Sequence, residues 1–216
     1  LYRADILIRD SLTGSYEFSA ASEAEYCSQK VVGDARDLNN DGYGDLFLGS
    51  PGVRTYLGGS HPDWDRRFGY VAVFYGGSDF GGSGMVMADA DIRWENDEAA
   101  PAHLVIGEAM ANVGDANGDG TDDVGISAPA YYSSDGPSIV YVDYNVGTGV
   151  VGISDLPARL SAWDTGEDYG LGVSISAAGD MNEDGLDDFL IGNPGLRHPS
   201  GTDFVGGAHL ILGGSW

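Results

Sequence analysis

The chain of 216 residues is 42% hydrophobic, enough for one sizeable core, yet 34 acidic residues face only 10 basic ones and leave a formal net charge of −24. That balance argues against binding to nucleic acid or to an anionic membrane through a basic patch, and no apolar run is long enough to insert in a bilayer. The lone cysteine, Cys27, excludes an intrachain disulfide, and 35 glycines with no sustained 3.6-residue apolar period exclude a mainly helical fold.

In chain order, Ala4 to Arg9 and Ser15 to Ala20 read as strands, and another begins near Tyr26-Cys27. Then comes Asp37-Leu38-Asn39-Asn40-Asp41-Gly42-Tyr43-Gly44-Asp45, followed by an apolar strand that ends in Gly49-Ser50-Pro51. A polar insertion, Arg54 to Arg67 with Trp64 at its centre, leads into the β-rich run Gly69 to Gly77. The pattern recurs. Ile106-Gly107 precedes the loop from Asp115 to Asp123, which ends in Ser127-Ala128-Pro129 and continues into the run Ser138 to Tyr144. Tyr169-Gly170 precedes the loop from Asp180 to Asp188, which ends in Gly192-Asn193-Pro194 and continues into Gly206 to Gly214. Segments around Phe18, Trp94 and Trp163 supply a fourth strand per copy, and the tryptophans are expected to pack between sheets.

Each loop has oxygen-bearing side chains at positions 1, 3, 5 and 9 and glycine at position 6 (Gly42, Gly120, Gly185). A hard cation that accepts six to eight oxygens at loose geometry suits such a set; magnesium requires a tighter octahedron, and zinc prefers nitrogen and sulfur. The pattern therefore predicts three Ca²⁺ sites. Their ligands are Asp37, Asn39, Asp41, Tyr43 and Asp45; Asp115, Asn117, Asp119, Thr121 and Asp123; and Asp180, Asn182, Asp184, Leu186 and Asp188. Tyr43, Thr121 and Leu186 contribute the backbone carbonyl of position 7, while Asp122 stands outside the ligand set. An EF-hand is excluded because position 12 is Leu48, Ile126 or Ile191, where that loop needs a bidentate carboxylate. Ordinary Asn/Asp/Gly turns are the plainer alternative, and three copies at one spacing argue against it.

These residues resemble the FG-GAP repeat, the blade unit of integrin α-subunit β-propellers. Tyr169-Gly170 stands for the Phe-Gly element and Gly192-Asn193-Pro194 for Gly-Ala-Pro, with the loop between them; the first copy departs most, having Arg36 where the others have Gly114 and Gly179. The resemblance implies an all-β propeller of four-stranded antiparallel blades, with the calcium loop between the first and second strands of each. It covers one propeller-type domain over 1–216, with repeats at 15–83, 84–153 and 154–216. About three blades are too few to close a ring, which takes roughly four to eight. Either the chain is a piece of a larger ring, or copies complete one another by strand exchange into oligomers or filaments.

No catalytic constellation stands out, since the paired carboxylates lie in the loops and His61, His103, His198 and His209 lack metal-ligand spacing. The expected function is a non-enzymatic structural or adhesive one outside the cell, where calcium is abundant, with protein partners that include further copies of itself or other surface proteins. The alternative is a carbohydrate-binding or polysaccharide-degrading propeller, with Trp64, Tyr131 and Tyr132 stacking on sugar rings.

Overall fold

The two strands that flank the first acidic loop show how the sequence builds its sheets. Val31–Arg36 and Asp45–Ser50 pair antiparallel across the first acidic loop, and Asp45–Ser50 pairs in turn with Tyr70–Phe74. The computed structural model describes residues 8–9, 31–51, 69–78, 80, 85–86, 89–97, 106–130, 137–161, 170–198 and 203–214. In chain order the strands are β1 (Ile8–Arg9), β2 (Val31–Arg36), β3 (Asp45–Ser50), β4 (Tyr70–Phe74), β5 (Met85–Val86), β6 (Ile92–Glu95) and β7 (Met110–Gly114). They continue as β8 (Asp123–Ala128), β9 (Ile139–Asp143), β10 (Gly149–Gly152), β11 (Ala158–Ser161), β12 (Ile175–Gly179), β13 (Asp188–Asn193) and β14 (Gly207–Ile211). One 3₁₀ turn, Ile153–Asp155, separates β10 from β11, and no α-helix occurs among the described residues.

The strands form three stacked antiparallel blades. The first is β2-β3-β4-β6, the second β7-β8-β9-β11 and the third β12-β13-β14. The all-β propeller-blade architecture expected from the sequence is thus present, and the described blades do not close a ring. Every residue of β8 and β9 is buried, because the middle blade is covered on both faces; hence the near-continuous apolar runs. Between the first and second blades lie Phe47, Val71, Val73, Ile92 and Trp94 against Met110, Val124, Ile126, Ile139 and Tyr141. Between the second and third, Val113, Val140 and Val142 meet Phe189 and Ile191. Strand β14, by contrast, is mostly exposed, and Leu190, Leu210 and Leu212 are exposed on the third blade.

Some expectations shift position. The pair Ile106-Gly107 forms a turn, and its strand begins four residues later at Met110. Gly107 has φ +89°, and a Cβ there would lie 2.7 Å from the carbonyl oxygen of Tyr70, so the turn rests directly on the first blade. Trp94 lies in the fourth strand of the first blade and is fully buried. The outer strand of the second blade is β11, with Trp163 just beyond it and outside the described residues. Of the strand expected over Ala4 to Arg9, Ile8–Arg9 is described, and it pairs parallel with Met85–Val86. Ser15 to Ala20, Tyr26, Cys27, His61, His103, Tyr131, Tyr132, Tyr169 and the 54–67 insertion with Trp64 also lie outside the described residues.

One connection was not expected from sequence. After β9 the chain turns back and lays β10 parallel to β6, adding a fifth strand to the first blade before β11 returns to the second. Asp97 holds this return in place, its Oδ2 accepting from the Ser154 amide (2.9 Å) and hydroxyl (2.7 Å). The Tyr75 hydroxyl donates to the Gly147 carbonyl at 2.9 Å. The first two blades are therefore clasped by backbone pairing as well as by their shared core.

Candidate functional site

Each acidic loop joins the first and second strands of its blade. The residue that leads into it is left-handed in all three copies: Arg36 at φ 59°, Gly114 at 80° and Gly179 at 68°. Glycine is the natural occupant there, and an L-residue such as Arg36 holds the conformation at a cost of about 1 kcal/mol. Position 6 is also left-handed, with φ of 91°, 91° and 90° at Gly42, Gly120 and Gly185.

Within the loops the same hydrogen bonds recur. The position 1 carboxylate accepts from the amides of positions 5 and 6: Asp37 from Asp41 and Gly42 (both 2.9 Å), Asp115 from Asp119 and Gly120 (3.0 and 2.9 Å), Asp180 from Asp184 and Gly185 (3.1 and 2.9 Å). Asn39, Asn117 and Asn182 accept from the position 5 amide through Oδ1 and donate through Nδ2 to the position 5 carboxylate. Asp41, Asp119 and Asp184 accept from the amides of Tyr43, Thr121 and Leu186. Position 9 closes the turn: Asp45, Asp123 and Asp188 accept from the amides of Leu38, Ala116 and Met181 at 2.7, 2.8 and 2.7 Å. The structure thus places all the predicted side-chain ligands on three matching loops and buries only the position 9 carboxylates deeply.

The carboxylates accept from backbone amides, and no group of three or more His, Cys, Asp or Glu side chains among the described residues is gathered to hold an ion. Two observations test whether a calcium ion fits. The donors are oxygen only, as calcium requires. In addition, Oδ1 of Asp123 is buried without a hydrogen-bond partner, a condition that is costly unless a positive charge or donor meets it. Burial pushes the Asp123 carboxyl up to about 7, with the charges of Asp119 and Asp115 adding to the shift and the amide bonds of Ala116 and Asn117 opposing it. Burial also raises Asp45, against amide bonds from Gly76 and Leu38. Hydrogen bonds from Thr121 and Asn117 lower the exposed Asp119. The residues fit calcium, which would be held by the side chains of positions 1, 3, 5 and 9 with the position 7 carbonyl; when bound, it would neutralise carboxylates that otherwise repel one another.

Sequence reasoning missed three features of the site. Position 4 is left-handed throughout, at Asn40 (57°), Gly118 (81°) and Glu183 (61°), and three different residue types there concealed the requirement. Glu183 is exposed and poorly suited to that backbone. Glu183→Gly is expected to stabilise the protein by about 1 kcal/mol, read as a higher denaturant midpoint; an unchanged or lower midpoint would contradict it. Asp122 is structural, its Oδ2 accepting from Asn112 Nδ2 at 2.8 Å while the same amide reaches the Ala35 carbonyl of the first blade at 2.9 Å. Asp187 bridges the second and third loops: its Oδ2 accepts from the Asp115 amide at 3.0 Å and its own amide donates to the Asp115 carbonyl at 3.0 Å. The carboxylates at position 8 of the later two loops, against Gly44 in the first, were the available signal.

The fold and loops define a class: stacked propeller blades whose first two strands are joined by Asp-x-Asn-x-Asp-Gly-x-x-Asp turns. The FG-GAP repeat profile matches residues 171–210, which run from the turn before β12 into β14. Integrin alpha-V of Gallus gallus is 24% identical over 189 residues, covering 86% of this chain and 16% of the relative. Integrin alpha-4 of Xenopus laevis is 31% identical over 161 residues, covering 73% and 14%. Phosphatidylinositol-glycan-specific phospholipase D of Bos taurus is 34% identical over 170 residues, covering 73% and 18%. The chain belongs to the FG-GAP repeat, integrin α-like family, and spans less than a fifth of the length of these relatives.

Proposed function

We propose that this chain is an extracellular, calcium-stabilised blade array with a structural or adhesive role, acting through contacts with proteins, including further copies of itself. The observation that carries the calcium reading is the threefold recurrence of one loop geometry, with a buried position 9 carboxylate at Asp45, Asp123 and Asp188. The integrin relatives support a protein partner and a location at the cell surface, where millimolar calcium keeps low-affinity loops filled. A non-catalytic role is supported by the loop carboxylates at positions 1, 5 and 9, each of which accepts backbone amides. No helix among the described residues is long and apolar enough to cross a membrane.

The reading of self-association rests on the third blade. Strand β14 pairs with β13 alone among the described strands, and Leu190 and Leu210 stand opposite each other in register, both exposed, with Leu212 exposed further along. A strand edge of this kind, beside an apolar face, favours addition of a strand from another chain. Sedimentation velocity in calcium is expected to show a concentration-dependent species larger than one chain, lost in Leu210→Glu with the monomer still folded. A monomer at all concentrations would overturn self-association.

A further inference from the structure

The three loops match within themselves but differ in what reaches them from the third strand of the blade. The pairings Leu46 with Phe74, Val124 with Asp143 and Phe189 with Ile211 place Gly76, Asn145 and Gly213 at one equivalent position. In the outer blades the glycine amide closes the site, Gly76 donating to Asp45 Oδ1 at 2.7 Å and Gly213 to Asp188 Oδ1 at 2.8 Å. In the middle blade the Asn145 amide turns back to Asp143 Oδ1 at 3.0 Å. Asp123 Oδ1 is left buried with no partner.

Steric contact explains the difference. A Cβ at Gly76 would lie 2.2 Å from the Gly44 carbonyl oxygen, and one at Gly213 would lie 2.6 Å from Leu186 Cβ and 2.7 Å from the Asp187 carbonyl oxygen. Only glycine brings its amide this close to position 9. Asn145 carries a Cβ and stays at the surface.

We infer that Asn145 makes the middle loop the most cation-dependent of the three, because it withholds the amide that in the outer loops satisfies the position 9 carboxylate, leaving that task to the bound ion. This rests on the reading that the loops hold calcium. In the outer loops Asp45 and Asp188 keep both oxygens satisfied without an ion. At Asp123 a divalent cation replaces a missing donor, so removing it leaves the buried Oδ1 without a partner, while Oδ2 keeps its amides.

The test uses the chain as it stands, in calcium and in chelator, followed by thermal melting and by hydrogen exchange of the three loops. In chelator, residues 115–123 should exchange fastest and 37–45 and 180–188 more slowly, with all three protected in calcium. Asn145→Gly should raise the melting temperature in chelator by a few degrees, shrink the calcium-induced shift by a similar amount, and slow exchange of 115–123. Asn145→Ala, which still carries a Cβ, should leave the calcium-induced shift unchanged. Equal exchange of the three loops in chelator, or equal shifts in the Gly and Ala variants with calcium still stabilising the wild type, would overturn the role of Asn145. A wild type whose melting and exchange ignore calcium would overturn the underlying calcium reading, and this inference with it.

Discussion

Trp94→Ala is expected to remove about 3–5 kcal/mol of stability, a large share of the 5–15 kcal/mol typical of a folded domain. Trp94 is fully buried, sits opposite Val71 in the first blade and belongs to the core shared with the second. Its indole Nε1 also donates to Asp143 Oδ2 at 2.7 Å, linking the fourth strand of one blade to the third strand of the next. Truncation therefore opens a cavity and strips a buried carboxylate of a donor, two costs that add. Trp94→Phe keeps a six-membered ring in place and loses the hydrogen bond together with a smaller part of the buried volume, so its loss should be smaller than that of Trp94→Ala, on the order of 1–3 kcal/mol. Urea melts of both variants distinguish the contributions. A loss below about 1 kcal/mol for Trp94→Ala would mean that the blades do not share this core in solution.

Calcium removal is expected to be comparably severe. At a free calcium concentration ten times the dissociation constant, each site adds about 1.4 kcal/mol through mass action, so three together add about 4 kcal/mol. For a chain of this size that corresponds to roughly 10 °C in melting temperature. Chelation leaves the three aspartates at positions 1, 5 and 9 of every loop to repel one another, across a chain whose formal net charge is already −24. Magnesium should restore less of the loss than calcium does, because its octahedron is smaller and more rigid. Melts in chelator, magnesium and calcium give the order; identical curves would contradict it.

Local chemistry was the legible part of this molecule. The oxygen-bearing residues at positions 1, 3, 5 and 9 and the glycine at position 6 lie close together in sequence, so the three turns could be read directly, and the resemblance to the FG-GAP repeat implied their setting between the first two strands of a blade. The left-handed position 4 escaped because Asn40, Gly118 and Glu183 share no residue type. The pairing of β10 with β6 escaped for a different reason: Gly149-Val150-Val151-Gly152 joins a strand more than fifty residues away, and nothing in its own pattern encodes that register. Position 9 was read as a ligand, while the structure shows it also to be the acceptor that closes each turn on its own second residue. The contrast among Gly76, Asn145 and Gly213 becomes visible only once strand pairing aligns them.

The described blades place these turns in series. Asp187 ties the third loop to the start of the second through its side chain and its amide, and Gly214 donates to the Ala116 carbonyl at 2.8 Å. Asn112 and Asp122 tie the second loop to Ala35 at the entry to the first. Ions held in such a row would stiffen the joints between blades as well as the turns themselves, which is the physical basis proposed here for a structural role.

The most direct measurement is the number of calcium ions bound per chain, by titration calorimetry or equilibrium dialysis in millimolar calcium. Three are predicted, with one lost in each of Asp37→Ala, Asp115→Ala and Asp180→Ala. A folded wild-type chain that binds none would show that the turns close on their own amides alone and would contradict the account.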